Sequence, residues 1–253
     1  MKIAVITGAS SGMGREFVYA LDKQFAYDEI WVLARRKQRL EELSEGSSAK
    51  IRPIPCDLTL PESIAQLTRL LDEVKPEVKT LVNAGGYGKF EAFDKLPVEE
   101  YYNMIDLNCK AYVGVTYACL PYMKEGGEIY QLDSLSAFQP VPYINIYAAT
   151  KAFVLSFSRA LNVELKKRKI KVMAVCPGWV KTEFFDRAIT ENTVVTYYNK
   201  YFTPKQVIDR ALKDMKRGKD VSVAGASIRF QVFLTKILPH KLVMKIWCKQ
   251  QKL

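Results

Sequence analysis

The sequence has almost no histidine and no paired cysteines, and these absences exclude several kinds of chemistry. Its 253 residues include a single histidine, His240, and five scattered cysteines without a CxxC spacing. Histidine-based metal centres and Ser–His–Asp triads need more histidine, and zinc sites and disulfide frameworks need cysteines at characteristic spacings. We therefore expect no bound metal. Unpaired cysteines fit a reducing compartment, so we expect a cytoplasmic protein.

Long apolar runs and amino-terminal targeting signals are also missing. No window holds about 18 uninterrupted apolar residues, which argues against a membrane-spanning helix. The chain starts with Met1-Lys2 and an apolar segment, Ile3–Ile6, that is typical of a buried strand and lacks the features of a signal peptide. The formal net charge of +11 would suit nucleic acid or an anionic membrane. The basic residues are dispersed over amphipathic helices without a nucleic-acid-binding motif, so we expect no nucleic-acid partner.

Short apolar segments alternate with longer segments of helical period. We predict strands at 2–6, 29–33, 51–55, 79–83, 127–132, 170–175 and 220–223. We predict helices at 12–25, 36–44, 61–75, 98–123, 147–168, 204–216 and beyond 226. Strands that are apolar throughout are buried on both faces, and strands separated by helices form parallel sheets with right-handed crossovers. The sequence therefore predicts a single α/β domain with a doubly wound parallel sheet, formed by residues 1–225 and followed by an extension, 226–253.

A glycine-rich turn follows the first predicted strand and precedes a helix. It reads Thr7-Gly8-Ala9-Ser10-Ser11-Gly12-Met13-Gly14. Glycines permit a tight turn and a close approach to a pyrophosphate, while the helix N-terminus presents free N–H groups and a positive dipole end. We predict a dinucleotide site here, with these ligands: Gly8, Ser10, Ser11, Gly12, Met13 and Gly14.

The end of the second predicted strand indicates which dinucleotide is preferred. NAD sites usually place an acid there, which holds the ribose 2′-hydroxyl. Here Ala34 is followed by Arg35 and Arg36, and arginine can form charge-assisted hydrogen bonds to a 2′-phosphate. We therefore predict NADP(H) over NAD(H), with Arg35 as the stronger ligand; the alternative is that these arginines only begin an exposed helix. Asp57 either accepts a hydrogen bond from the adenine amino group or caps the helix after Pro61.

Three further residues suggest acid–base chemistry on an oxygen. Tyr147 and Lys151 are four residues apart and share a helical face, and Ser134 follows the fifth predicted strand, whose end faces the ligand crevice. A phenol has a pKa near 10, which a neighbouring ammonium and an oxidised nicotinamide lower. Ser134 would hold the substrate oxygen. A Tyr-x-x-x-Lys spacing by itself is weak evidence, because the chain contains 14 tyrosines.

Taken together, these motifs resemble the short-chain dehydrogenase/reductase family from residue 1 to about residue 185. Thr7–Gly14 match the family's TGxxxGxG motif, and Asn83–Gly86 match its Asn-Asn-Ala-Gly motif. Asn108 matches its helix-borne Asn, and Ser134, Tyr147 and Lys151 match its catalytic Ser, Tyr and Lys. Pro177–Thr182 match its Pro-Gly-x-Val-x-Thr motif.

The resemblance implies a Rossmann-like fold, hydride transfer between NADP(H) and a carbonyl or secondary alcohol, and a homodimer or homotetramer. It implies that Tyr147 donates the proton in reduction, that Lys151 binds the nicotinamide ribose and tunes Tyr147, and that Asn108 anchors a proton-relay water. It further implies cofactor contacts from Leu58, Asn83, Ala84, Gly85, Tyr147, Lys151, Pro177, Gly178, Val180 and Thr182. A different function on this fold is a non-catalytic NADP(H)-binding sensor or scaffold.

Two residues depart from the family pattern. Ala84 replaces the second Asn of the Asn-Asn-Ala-Gly motif, which removes a loop contact but no catalytic group. Asp133 stands where many relatives carry a serine. It either points into the site, where it would bind a polar substrate group or raise the pKa of Tyr147, or points away.

The carboxyl-terminal part is rich in aromatic and basic residues. The segment after Thr182 is strongly aromatic through Phe184, Phe185, Tyr197, Tyr198, Tyr201 and Phe202. It is interpreted as a lid over an apolar substrate such as a steroid, a bile acid or an acyl chain; the alternative is ordinary helix packing. Residues 226–253 contain six Lys or Arg and no acid, and Pro239 separates two amphipathic helices. These helices lie on an anionic membrane, cover the pocket or contact a second subunit.

Overall fold

The computed structural model describes residues 1–253 and contains the predicted strands, with two short additions. The nine strands are β1 (Lys2–Thr7), β2 (Glu29–Ala34), β3 (Lys50–Pro55), β4 (Glu77–Asn83), β5 (Glu128–Leu132), β6 (Lys171–Val175), β7 (Trp179–Val180), β8 (Tyr201–Phe202) and β9 (Val221–Ser222). Seven of them form one parallel sheet in the order β3-β2-β1-β4-β5-β6-β9, while β7 and β8 pair separately. The predicted doubly wound parallel sheet is confirmed.

The strand order places a crevice at the carboxyl ends of β1 and β4. From β1 the chain moves outward to β2 and β3, then returns to β4 on the other side of β1. The connections after β1 and β4 therefore run in opposite directions and leave an opening, which is where ligands bind in open α/β sheets.

Ten helices cover the sheet. They are α1 (Gly12–Gln24), α2 (Lys37–Glu41), α3 (Pro61–Val74), α4 (Val98–Ile105), α5 (Ala111–Cys119), α6 (Asn145–Glu164), α7 (Phe184–Ala188), α8 (Pro204–Lys216), α9 (Ala226–Ile237) and α10 (His240–Gln251). None of the ten is both long enough and apolar enough to cross a bilayer.

Two hydrophobic cores lie on opposite faces of the sheet because side chains alternate along each strand. Ala4 and Ile6 of β1 belong to the core that includes residues of α1, α8 and α9. Ile3 and Val5 of the same strand belong to the core that includes residues of α3, α5 and α6. This burial on both faces explains why the strands are apolar throughout.

The helices differ from the sequence prediction at a few points. The helix predicted at 98–123 is interrupted by one π-helical turn, Asp106–Lys110, between α4 and α5. The short elements α7, β7 and β8 were not predicted. Pro239 precedes the first turn of α10, so the predicted break between two carboxyl-terminal helices is confirmed.

Candidate active site

The glycine-rich turn forms the floor of a cleft of about 780 Å³ at the crevice. Gly8 has a φ of +65°, and a Cβ at Gly14 would lie 2.3 Å from the carbonyl oxygen of Gly8. Only glycine allows this approach of α1 to β1, which leaves the helix N-terminus open to the cleft. The hydroxyl of Thr7 accepts hydrogen bonds from the backbone N–H groups of Ala84 (3.0 Å) and Gly85 (3.2 Å) and so joins the ends of β1 and β4.

Most of the predicted cofactor ligands line this cleft. They are Gly8, Ser10, Ser11, Gly12, Met13, Gly14, Arg35, Arg36, Asp57, Leu58, Ala84, Gly85 and Thr182. Asn83 lies beneath it: its buried amide donates hydrogen bonds to Thr116 and Gln131 at 3.0 and 2.9 Å. Pro177 and Gly178 line a neighbouring pocket, and the side chain of Val180 is buried in the core.

Arginines occupy the edge of the cleft beyond β2. The guanidinium of Arg36 donates to the hydroxyl of Ser10 at 3.0 Å and to that of Ser11 at 2.8 Å. Its other nitrogen lies 2.7 Å from the carboxylate of Glu183, which also pairs with Arg39. Arg35, by contrast, is 63% exposed in its side chain and reaches Asp57 only at 3.8 Å. Arg36 is therefore the arginine most closely joined to the glycine-rich turn.

Glu183 and Arg39 are cleft residues that the sequence did not reveal. Arg39 stands one helical turn beyond Arg36, a spacing that places both on one side of α2 and could have been noticed. Glu183 comes from a segment 144 residues away from Arg39, so no local pattern reports the contact. Hydrogen bonds from Arg36, with a further one from Arg39, lower the pKa of the Glu183 carboxyl.

Asp57 also lines the cleft, where it stabilises a turn before α3. Its carboxylate accepts hydrogen bonds from the backbone N–H of Thr59 at 3.0 Å and from the hydroxyl of Thr59 at 2.8 Å. The helix itself begins after Leu60, so Asp57 is not its N-cap residue. Asp57 therefore does not cap α3, as one of the two hypotheses had it, but accepts the hydrogen bonds of the turn that precedes this helix.

Ser134, Tyr147 and Lys151 are brought together where β5 ends and α6 begins. Ser134 and Tyr147 line the same pocket, next to the nucleotide cleft. The ammonium of the buried Lys151 donates to the carbonyl of Leu132 at 2.8 Å and lies 5.7 Å from the centre of the Tyr147 ring. The structure therefore brings together the three residues whose spacing suggested a common site, and their catalytic roles stay a prediction.

Asn108 fixes the loop after β4 against α6. Its fully buried amide accepts from the backbone N–H of Tyr87 at 3.1 Å and donates to the Tyr87 carbonyl at 2.9 Å and to the Thr150 hydroxyl at 3.1 Å. It lies in the π-helical turn between α4 and α5, where the hydrogen-bond ladder shifts by one residue. A Cβ at Gly86 would lie 2.9 Å from the amide oxygen of Asn108, so this loop fits only without a side chain there.

Glycine also makes room for the Tyr147 ring. A Cβ on Gly88 would lie 2.8 Å from the ring of Tyr147 and 3.2 Å from that of Phe184. The motif Asn83–Gly86 ends two residues before Gly88, and the contact of Gly88 with Tyr147 was not predicted. The phenol of Tyr147 thus lies between Gly88 and Phe184. The ring centroids of Tyr147 and Phe184 are 5.6 Å apart.

Asp133 points into the protein interior. The side chain is buried and lines neither the cleft nor the pocket. One carboxylate oxygen accepts from the thiol of Cys176 at 3.5 Å, and the other has no hydrogen-bond partner. The hypothesis that Asp133 directly contacts a polar substrate group is therefore wrong for this conformation.

The buried charges set the protonation of the site. Burial raises the pKa of the Asp133 carboxyl to about 8, although the Lys151 ammonium opposes this. Burial lowers the pKa of Lys151, and the negative charge of Asp133 opposes that change. Burial raises the pKa of Tyr147; the Ser134 hydroxyl lowers it and Asp133 raises it further. The phenol of Tyr147 therefore carries its proton at neutral pH.

The pocket above Tyr147 is small, with a cavity volume of about 100 Å³, and six of its 17 lining residues are aromatic. Its apolar lining includes Phe90, Trp179, Phe184 and Trp247. Of the predicted aromatic lid, Phe184 and Tyr197 line it. The other four pack elsewhere: Phe185 lies with its ring centroid 5.3 Å from that of Tyr198 and 5.7 Å from that of Tyr201, and Phe202 lies in the main core.

The carboxyl-terminal helices complete this pocket. The amide of Gln251 accepts from the backbone N–H groups of Thr196 (3.0 Å) and Tyr197 (2.9 Å) and donates to the carbonyl of Tyr197 at 3.1 Å. The indole of Trp247 donates to the carbonyl of Pro142 at 3.1 Å. Residues of α10 therefore hold both sides of the pocket, a role that the sequence left open.

Several known proteins are similar to this chain in sequence or in fold. A sequence model described as short chain dehydrogenase matches residues 2–193. An uncharacterized oxidoreductase of Staphylococcus epidermidis is 32% identical over 183 residues, which cover 72% of this chain and 79% of that protein. The structure of a short-chain dehydrogenase from Sphingobium yanoikuyae in complex with NADPH matches with a TM-score of 0.79 and 27% identity, over 94% of this chain and 97% of that one. The bulky-bulky ketone specific alcohol dehydrogenase from Comamonas testosteroni matches with a TM-score of 0.74 and 25% identity, over 97% and 94%.

Proposed function

The chain belongs to the short-chain dehydrogenase family, and from this premise we propose that it reduces an apolar ketone or oxidises the corresponding secondary alcohol with NADP(H). The observation that carries the proposal is the meeting of Ser134 and Tyr147 in one pocket, beside the nucleotide cleft and above the ammonium of Lys151. A non-catalytic sensor would not need a proton donor at that place, so the sensor alternative is not favoured.

The cleft fits a nicotinamide dinucleotide. The glycine contacts leave the N-terminus of α1 open, and the cleft volume of about 780 Å³ lies within the range of ligand pockets, roughly 300–1,000 Å³. The proposed ligands of the phosphates and ribose are Gly8–Gly14, Ala84, Gly85 and Lys151, and Thr182 lies at the nicotinamide end. When bound, the cofactor supplies or accepts the hydride.

Tyr147 is the proposed acid–base residue. Because burial raises its pKa, the phenol holds a proton that it can give to the oxygen of a ketone during reduction. The hydroxyl of Ser134 accepts from that of Ser136 at 2.9 Å, which leaves its own proton free to hold the same oxygen. Lys151 stabilises the phenolate that remains, because its ammonium lies under the ring.

Asn108 is proposed as the start of the proton-relay path. Its side chain is fully engaged by Tyr87 and Thr150, so we assign the water-binding role to a backbone carbonyl of the π-helical turn. A π turn leaves one more carbonyl without its ordinary helical partner. The amide of Asn108 then has a positioning role: it keeps the loop of Tyr87 against α6.

NADP(H) is the proposed cofactor because arginines surround the place beyond Ala34. Arg36 and Arg39 both pair with one carboxylate, that of Glu183, so the two guanidinium groups can reach a single anionic group at this place. Arg35 is retained as a further ligand that can turn in from solvent. An acid at position 34 is what an NAD site would show.

The proposed substrate is a bulky apolar ketone or alcohol, such as a steroid, a bile acid or a compound with an acyl chain. The aromatic lining of the pocket supports this, as does the similarity to an alcohol dehydrogenase that is specific for bulky-bulky ketones. A cavity of about 100 Å³ is too small for such a molecule. We therefore propose that the segment from Glu183 to Lys200 moves outward during binding.

A homodimer or homotetramer is proposed from the outer faces of α5 and α6. Val113, Tyr117 and Phe153 are large apolar side chains exposed there.

All five cysteines are free, which supports the proposal that the protein is located in the reducing cytoplasm.

The test of the function is a substrate screen that follows NADPH absorbance, with NADH in parallel. Bulky apolar ketones should be reduced faster than small polar ones, and Tyr147→Phe should lower kcat by about 10²–10⁴-fold while nucleotide binding, followed by fluorescence, persists. Full activity of Tyr147→Phe would refute the assignment of the proton donor.

A further inference from the structure

The outer surface of α9 and α10 exposes both apolar and basic side chains. We propose that this surface, called here the basic face, docks on an anionic lipid bilayer. It consists of Arg229, Phe230, Phe233, Lys236, Ile237, Lys241, Leu242, Lys245, Ile246 and Lys249.

The apolar part of the basic face is exposed although the protein has a well-filled core. Five large side chains, Phe230, Phe233, Ile237, Leu242 and Ile246, are each between 43% and 62% exposed. On each helix they recur at intervals of three or four residues and so lie on one side. The opposite sides are anchored in the protein through Ile228 and Val232 of α9 and Val243 of α10. The exposed residues are therefore displayed by fixed helices.

The charge of the basic face is entirely positive. Its five basic residues, Arg229, Lys236, Lys241, Lys245 and Lys249, are all exposed, and none of them forms a salt bridge. No acidic side chain follows Asp220 in the chain. Some basic side chains on other exposed helices do have an acidic partner, such as Lys205 with Asp209 at 2.6 Å. An anionic surface would complement these charges.

A bilayer fits this combination better than a second copy of the chain. In a twofold dimer the same patch meets itself, so the lysines of one copy would face those of the other with no acid between them. Amphipathic helices with lysines beside aromatic and aliphatic residues are typical of helices that lie in the bilayer interface. The apolar side chains would enter the acyl boundary and the lysines would meet the headgroups.

Docking would bring the pocket close to the lipid. Gln231 of α9 and Trp247 and Gln250 of α10 line the pocket above Tyr147, behind the basic face. Apolar ketones concentrate in bilayers, so the enzyme would meet its substrate where the substrate accumulates. This consequence rests on the proposed function, whereas docking itself does not.

The experiment measures sedimentation of the full chain with vesicles of phosphatidylcholine alone and with vesicles containing about a third of phosphatidylglycerol. We expect binding to the anionic vesicles that weakens as salt rises. Each lysine near an anionic surface contributes about a five-fold change in partitioning, so Lys241→Gln/Lys245→Gln/Lys249→Gln should weaken binding on the order of a hundred-fold. Phe230→Gln/Phe233→Gln/Ile237→Gln should weaken binding too, while the salt dependence stays because the lysines are retained.

The matched control removes the same charge elsewhere, in Lys166→Gln/Lys167→Gln/Lys213→Gln, and should bind nearly as well as the original chain. Circular dichroism of all variants checks folding. No binding to anionic vesicles, equal binding to neutral ones, or an equal loss in the control would overturn the proposal. Self-association that depends on Phe230 and Phe233, without vesicle binding, would assign the surface to a second copy instead. An inactive protein that still binds vesicles would refute the proposed function and leave docking intact.

Discussion

Arg36→Ala should weaken NADPH binding selectively. The guanidinium joins the glycine-rich turn through Ser10 and Ser11 and ends beside Glu183, at the place where a 2′-phosphate would follow the ribose. A hydrogen bond to a charged group contributes about 1.5–3 kcal/mol. The side chain of Arg36 is 43% exposed, so we take the lower limit. About 1.5 kcal/mol corresponds to a rise of about ten-fold in KM for NADPH.

The assay compares KM for NADPH and NADH at one ketone concentration. NADH has no 2′-phosphate, so its KM should change less than about two-fold. Arg35→Ala, in which a more exposed arginine is removed, should have a smaller effect on NADPH than Arg36→Ala. Arg69→Ala on α3 is the control for loss of a surface arginine.

An equal rise in KM for both nucleotides would refute the reasoning. It would mean that Arg36 shapes the turn through Ser10 and Ser11 and does not recognise the phosphate. No rise for either nucleotide would mean that Glu183 keeps the guanidinium occupied in the complex as well.

Three further outcomes are expected. Gly88→Ala should lower kcat with little change in melting temperature, because its Cβ would lie 2.8 Å from the Tyr147 ring and displace it; an unchanged kcat would contradict the fit of Gly88 against this ring. Gln251→Ala should speed proteolysis between α7 and β8 and raise KM for ketones, because three hydrogen bonds to backbone are lost; unchanged cleavage would contradict the role of this amide. Burial and the negative charge of Asp133 raise the pKa of Tyr147, so Asp133→Asn should lower that pKa. The rate of alcohol oxidation should then begin to rise at a lower pH. A shift of this rise to higher pH would refute the expected direction.

The strands of the sheet and the positions of Ser134, Tyr147 and Lys151 were predictable because their causes are local. Buried parallel strands need continuous apolar segments such as Ile3–Ile6, and these are visible in the sequence. Tyr147 and Lys151 share a face of α6 because of the helical repeat alone. Ser134 follows from the rule that strand ends face the crevice.

Contacts between distant segments were not predictable. Glu183 meets Arg36 and Arg39 only after the chain has folded, and nothing in the surrounding residues marks it as their partner. The same holds for Gln251, whose partners lie more than 50 residues earlier. The fit of Gly88 against Tyr147 depends on distances that no spacing rule contains. Strands of two residues, such as β7 and β8, have too little sequence to show a period.

The pairing of β7 with β8 has a consequence for how this enzyme can change. Trp179 pairs with Tyr201 and Val180 pairs with Phe202, so the two ends of the segment between β7 and β8 are held next to each other. The entropy of closing such a loop grows only slowly with its length. Insertions or deletions inside the loop should therefore alter which molecules are accepted while Tyr147 and the glycine-rich turn stay in place. Because β7 and β8 hold its two ends together, this segment could be replaced by the corresponding segment of a relative with a different substrate preference.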